Sequence, residues 1–322
     1  MVPTRLYSDG KLVKSDFPVA EISDHIAKKD CAVWADFLSP TAKDLADIEE
    51  ELSLHPLAVE DAVHDHQRPK IDRYDTHQFL SAYSITFDEK TGGFEKAEIK
   101  AFITPNALIT VHGPGFDMDK VVARWDANPD LAKYGVGFLL WGLLDVIVDD
   151  HFDTVQQLDN AIESLEDALF DDRPRDKEVQ RRSFEIRKSL VEVRRVVVPM
   201  REMLNTLMRR DVDEVDPAMI PYYQDVYDHI LRATDSTDSL RDLVSTILDT
   251  NLSIQSNRMN LIMKKVTSWA AIIAVPTAIT GFFGQNLRFA GFGTVWGVWL
   301  SIALILATSG ALYVSFKRRD WL

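Results

Sequence analysis

Between Tyr222 and Val275 the chain has neither glycine nor proline over 54 residues, and apolar positions recur near helical spacing at Val226, Ile230, Leu240, Val244, Ile247, Ile254 and Ile262. One helix of this length spans about 80 Å at 1.5 Å per residue. No charge occurs from Val266 to Leu287, nor again from Phe289 to Phe316. A bilayer core about 30 Å thick needs about 20 apolar residues, so each run predicts a transmembrane helix. About 50 Å of the first helix must then project beyond the membrane as a stalk packed on neighbours.

A second periodicity runs along the same helix. Asp249, Ser253, Ser256, Asn260, Met263, Thr267, Ala270, Ala274 and Thr277 recur every three or four residues and share one stripe. Two readings fit. The stripe is either a solvated stalk face that fades into a packing face of small residues, or the lining of a water-filled pore. A pore needs several copies of the chain around an axis, because one helix encloses nothing. Pro276 lies inside the first span, where it kinks the helix or frees a carbonyl toward protein or water.

The first 130 residues alternate differently. CAVWADF, HQFLSAYSITFD, EIKAFIT and ALITVH read as strands bounded by turn residues, and Ser39-Pro40 with acidic residues after it predicts a helix start. From Val136 to Met208 the pattern is helical. Leu158, Ile162, Leu165 and Leu169 form one stripe, DDRPRD a turn, and Phe184, Arg187, Val191, Arg194 and Val198 the stripe of a return arm. Pro199 predicts a kink or a break. The expected organisation is a cytosolic α/β domain (1–135), an acidic antiparallel helix pair (136–221) and the stalk (222–265). A first span (266–287), an external loop (288–294), a second span (295–316) and a basic tail (317–322) complete it.

Charge separates these parts. The whole chain carries −14, but from Asn251 onward seven basic residues face one acid, a net +6, which leaves −20 on the first 250 residues. Lys264 and Lys265 precede the first span and Lys317, Arg318 and Arg319 follow the second, which places both termini in the cytoplasm by the positive-inside rule. Trp296, Trp299 and Trp321 suit the membrane interfaces. Cys31 is the single cysteine, which excludes an intrachain disulfide, and the N-terminus has no apolar signal-peptide core. No GxxxxGK[ST], CxxC, HExxH or GxSxG occurs, so nothing supports an enzyme, an organic cofactor or ATP coupling. Nucleic acid is not an expected partner of so acidic a chain. In HPLAVEDAVHDHQRP, Glu60 and His64, with His55 and His66 nearby, could share a metal-binding helix face, although an ordinary surface helix accounts for the same pattern. A divalent cation needs no ATP to enter a cell: it gains about 4.6 kcal/mol per 100 mV of inside-negative potential.

Several stretches together carry a family resemblance. They are HPLAVEDAVHDHQRPKIDRYD, FITPNALITVH, FLLWGLLDVIVDDHFDTVQQLDNAIESLEDALF, the long-helix run YYQDVYDHILRATDSTDSLRDLVSTILDTNLSIQSNRMNLIMKKVT, and the terminal FKRRDWL. The chain resembles the CorA family of magnesium transport channels. That resemblance implies a funnel-shaped homopentamer in the inner membrane, the long helix lining the pore and the second span outside it. It implies Mg2+ as transported and regulatory ion, with Co2+, Ni2+ or Zn2+ as further candidates. The family's external Gly-Met-Asn falls on Gly284, Gln285 and Asn286, and its pore-lining positions fall on Thr277, Ala274, Met263, Asn260 and Asp249. Its cytosolic cation sites pair an acid of the long helix, here Asp225, with one from a neighbour's α/β domain, here assigned to Asp88. Two departures stand out. Gln285 replaces Met, and Arg288 occupies a loop position where the family usually has an acid. A fixed positive charge at the mouth opposes cation capture, which keeps open a membrane-anchored cation sensor, or a Zn2+ transporter whose mouth does not select Mg2+.

Overall fold

A computed structural model describes residues 2–27, 31–64, 68–88, 93–170, 176–208, 216–285 and 293–322. The chain divides into two compact units, Met1–Ile247 and Leu248–Leu322. The first is built on seven strands: β1 (Thr4–Ser8), β2 (Lys11–Ser15), β3 (Cys31–Leu38), β4 (Lys70–Arg73), β5 (Gln78–Asp88), β6 (Gly93–Ile103) and β7 (Ala107–His112). Their order is β2-β1-β3-β7-β6-β5-β4. All neighbours are antiparallel except β3 and β7, which run parallel. The helices are α1 (Ile22–Ile26), α2 (Ala42–Glu51), α3 (Pro56–Val63), α4 (Met118–Ala127), α5 (Val136–Leu169), α6 (Asp176–Met208), α7 (Ile220–Phe283) and α8 (Val295–Arg318).

Strand alternation puts a helical layer on each face of the sheet. Val33, Ala35 and Phe37 of β3 and Ile109 and Val111 of β7 join Phe79 and Phe102 in one apolar cluster with Ile22, Leu45, Ile48, Ala58 and Val59 of α1, α2 and α3. On the other face Trp34 meets Trp125 of α4 edge-on, ring centroids 5.0 Å apart, and Trp125 Nε1–H donates to the Leu139 carbonyl of α5 at 3.0 Å. The expected strands and the α5 stripe of Leu158, Ile162, Leu165 and Leu169 are present, and that stripe is buried. The helix expected after Ser39-Pro40 begins at Ala42, where Thr41 and Asp44 form a capping box.

Three readings change. The β1–β2 hairpin and β4 are additional strands. The return arm, α6, buries Ile186, Leu190, Val193 and Val197, whereas Phe184 and Val191 of the expected stripe are exposed. The apolar face is the uninterrupted aliphatic series, and the expected stripe had mixed it with arginines that stay in water. Of the two outcomes expected at Pro199, a break is excluded, because α6 runs on to Met208. Buried Val196, Val197, Met200, Met203 and Leu204 hold the turns on both sides of it in place. The turn expected at DDRPRD lies mainly outside the described residues.

One buried polar chain crosses the β3–β7 seam. Trp34 Nε1–H donates to Thr110 Oγ1 at 3.0 Å, and Thr110 donates to Asp36 Oδ1 at 2.6 Å. His112 faces Asp36 Oδ2 at 3.0 Å through Nε2 and the Gly113 carbonyl at 2.7 Å through Nδ1. Burial alone would lower the His112 pKa. The Asp36 hydrogen bond and charge, with help from Gly113, outweigh it and raise the imidazole above its ordinary 6.5. An acceptor at each ring nitrogen favours the protonated imidazole. His77 and His151 behave oppositely, because burial lowers each to about 4.

These shifts set a stability window. Neutral His77 and His151 contribute stability above pH 6.5 that is lost as pH falls toward about 4, because only the unfolded chain takes up those protons. The His112 contribution has the opposite sign: it is present below 6.5 and lost as pH rises through the raised folded value. The thermal midpoint of the full-length protein in detergent is therefore expected to peak near neutrality. His112→Gln should flatten the alkaline side and leave the acid side unchanged. An unaltered alkaline slope in that variant would remove His112 from the account.

In the second unit, α7 from Leu248 onward and α8 are long and apolar enough to cross a membrane. Only 6% of the most apolar window of each helix is buried in the chain, unlike the core helix of a soluble protein. Thr294 caps α8, its side chain accepting from Gly297 N at 3.3 Å.

Candidate functional site

The stripe read from periodicity falls on one continuous helix. Asp249, Ser253, Ser256, Asn260, Met263, Thr267, Ala270, Ala274 and Thr277 all lie on α7, and all are exposed in the single chain. Neighbouring positions on another side of the helix, Ile254, Ala271, Ile272, Val275 and Ile279, are half-buried, and Ser268 is fully buried. Exposure is not confined to the stripe, since Leu252, Met259, Leu261, Ile262, Trp269 and Ile273 of the same helix are exposed as well. Pro276 sits within the helix without ending it.

Two hydroxyls of this face turn back onto the helix. Ser253 Oγ–H donates to the Asp249 carbonyl at 2.9 Å, and Thr277 Oγ1–H donates to the Ile273 carbonyl at 3.0 Å. Both hydroxyls spend their proton on their own helix and keep acceptor lone pairs available. Such a surface accepts hydrogen bonds from the water shell of a cation without stripping it. Asp249 and Asn260 add a carboxylate and an amide to the same face.

At the C-terminal end of α7, Gly284 N donates to the Thr280 carbonyl at 2.8 Å and Gln285 N to the Phe282 carbonyl at 3.3 Å. Both residues are exposed. An added Cβ at Gly284 would come within 3.1 Å of the Thr280 oxygen, so the small residue suits this tight helix end. Asn286 and Arg288 lie outside the described residues.

In the first unit, Asp225 is on α7 with its side chain 69% exposed. His229, one turn further on, has Nε2 at 4.0 Å from Asp225 Oδ1 and Nδ1 at 4.0 Å from Asp149 Oδ1 of α5. Arg124 of α4 braces Asp149 at 2.6 Å and also pairs with Asp145. The Asp149–His229 proximity was not anticipated. Its detectable part is the i, i+4 spacing of Asp225 and His229, whereas Asp149 arrives from another helix. Asp88 closes β5, in register with Gly93 of β6. Among the described residues no three His, Cys, Asp or Glu side chains are close enough together to hold a metal ion. His64, weighed with Glu60 as a metal pair, stands beyond the end of α3, and its Nδ1 faces the Glu60 carbonyl at 2.8 Å. His55 caps the start of that helix, accepting from Leu57 N at 3.2 Å, and His66 is outside the described residues.

Known proteins give the same picture across nearly the whole chain. The profile of the CorA-like Mg2+ transporter protein family matches residues 29–318. The cobalt/magnesium transport protein CorA of Thermotoga maritima is 31% identical over 277 residues, covering 85% of this chain and 78% of that protein. The protein of the same name from Methanocaldococcus jannaschii is 24% identical over 321 residues, covering 98% of this chain and 97% of its own. A complete structure of the CorA magnesium transporter from M. jannaschii superposes with a TM-score of 0.79 over 100% of this chain and 99% of that one, at 22% identity. Its fold matches the α/β unit, the long helix and the two apolar helices seen here. With a profile match over most of its length and a relative above 30% identity, this chain belongs to the CorA family of Mg2+ transporter proteins, which are ion transporters and not enzymes.

Proposed function

We propose that the protein is a funnel-shaped homopentamer in the inner membrane, both termini in the cytoplasm, that conducts Mg2+ and related divalent ions passively down the membrane potential. The observation that carries this reading is the exposed stripe of small and polar residues on α7, from Asp249 to Thr277, on a helix that is otherwise apolar enough to cross a membrane. A polar face at membrane depth requires water or a partner, and five copies turned inward supply both. The relatives named above, cobalt/magnesium transport proteins, support the choice of ion. The test is uptake of Mg2+, Co2+, Ni2+ and Zn2+ into proteoliposomes under a K+ diffusion potential without ATP, with native mass measurement of the assembly. Absence of flux for every ion, or a stable monomer, would refute the proposal.

Gating follows from Asp225. In this reading its exposed carboxylate meets Asp88 of a neighbouring copy, and a bound cation holds the two subunits together and the pore shut. When the site empties, like charges repel and the open population grows. Mg2+ should protect the protein from proteolysis, and Asp225→Asn should raise the Mg2+ needed for half-protection by about tenfold, the loss of one charge-assisted contact of about 1.4 kcal/mol. Unchanged protection would remove Asp225 from the sensor. Arg288 favours a second reading, a membrane-anchored sensor with a silent pore. It predicts Mg2+ protection through Asp225 with no flux under any gradient.

A further inference from the structure

In the first unit a cleft of about 630 Å3 opens between α6, α7 and the segment leading into β4. Four arginines line it: Arg68 before β4, Arg194 and Arg195 on α6, and Arg241 on α7. Among the described residues Glu202 is the one carboxylate lining it, while Asp238, Asp242 and Glu192 pair with Arg194, Arg241 and Arg195. This concentration of positive charge lies in a part of the chain that is otherwise strongly acidic.

Structural duty explains half of it. Asp238 of α7 accepts from Arg194 Nε at 2.8 Å and lies 3.5 Å from Arg241, so it braces α6 to α7. Arg195 is different. Its acid contact, Glu192 at 2.9 Å, is on its own helix, and Lys96 already claims that carboxylate at 2.8 Å. The Arg195 side chain is 68% exposed. Arg68 reaches the same cleft from a segment far away in sequence. Guanidinium groups keep their charge at any physiological pH and carry five N–H donors each, more than these contacts use.

We propose that this cleft binds a soluble organic polyphosphate, of the nucleoside triphosphate class. Planar guanidinium forks match phosphate oxygens in pairs, and several arginines converging on one volume suit a chain of phosphates better than a single carboxylate. The volume falls in the range of about 300–1,000 Å3 of small-molecule sites. Val198 and Pro199 give the cleft an apolar wall for the part of the ligand without phosphate.

The test uses the full-length protein in detergent with EDTA, so that the anion is not carried by Mg2+ and the ion pathway stays out of the readout. A fluorescent ATP analogue is titrated and then displaced by unlabelled ATP or inorganic tripolyphosphate. Phosphatidylcholine vesicles containing a phosphatidylinositol bisphosphate test a lipid headgroup as the source of phosphate. Native protein is expected to bind ATP and tripolyphosphate, and Arg68→Glu with Arg195→Glu to weaken both by about thirtyfold or more. The single change Arg195→Gln should cost about tenfold and serves if the double variant does not fold. No ATP binding by the native protein, affinity unchanged in these variants, or binding to the lipid vesicles alone would each overturn the proposal. Failure here leaves the transport reading intact, since that reading is decided by ion flux.

Discussion

Asn286→Ala is expected to reduce Mg2+ influx into proteoliposomes by about a hundredfold while leaving assembly and cytosolic cation protection unchanged. Mg2+ gives up its water shell reluctantly, so an entrance that selects it must grip the hydrated ion through neutral oxygens. In the proposed pentamer Asn286 would supply five amide carbonyls, each worth about 0.5–1.5 kcal/mol as a hydrogen bond to bound water. Losing the equivalent of two to three of them costs about 2.7 kcal/mol, or two decades in occupancy. Gln285 adjoins this ring and carries a second amide, so Gln285→Ala should have a smaller effect in the same direction. Arg288 sets the opposite bias. Its replacement by Ala should speed uptake most at low ionic strength, where long-range repulsion is least screened. Equal influx through native and Asn286→Ala protein would show that the entrance is elsewhere.

The stripe proposed as the ion pathway was legible because it lies on one helix. A stripe at intervals of three and four survives from sequence to structure whenever the helix is continuous, and α7 runs from Ile220 to Phe283. The two spans were legible for the same local reason. Edge strands were not. Every residue of β2, Lys11–Ser15, is exposed, so burial imposes no alternation on it, and β4 has only four residues directly after Arg68-Pro69. Lysines on such an edge discourage further pairing. The phase of α6 was misread where arginines alternate with valines, since both follow helical spacing and only packing separates them. The least legible features join distant segments. His112 finds Asp36 across 76 positions because the parallel register of β3 and β7 sets them two residues apart along the seam. The arginine cleft draws on Arg68 and Arg241, which no local pattern connects.

The largest stability loss is expected from Gly142→Ala, a change that sequence rules alone would score as favourable. Gly142 lies inside α5, where alanine is better than glycine by about 1 kcal/mol of helix propensity. The structure reverses the sign. A Cβ built there falls 2.4 Å from Trp125 Nε1 and 2.5 Å from Trp125 Cδ1. The indole has no free space, being 1% exposed, edge-on to Trp34, and tied to the Leu139 carbonyl three residues before Gly142 on the same helix. Moving it leaves a buried N–H without its acceptor, at about 1–3 kcal/mol, and overpacks the α4–α5 contact, at about 1–3 kcal/mol. After the propensity gain the net loss is about 1–5 kcal/mol. Trp34 also donates to Thr110, which holds Asp36, so the disturbance should reach the His112 pair and shift the alkaline limit of stability. Urea unfolding of the full-length protein followed by tryptophan fluorescence measures the loss. Trp125→Phe in the same chain should make Gly142→Ala less damaging than it is alone, because the smaller ring removes both the clash and the donor; the coupling is read from the double-mutant cycle. A Gly142→Ala midpoint equal to or above that of the native protein would mean that α4 yields freely and that the tryptophan pair does not fix α5 against the sheet.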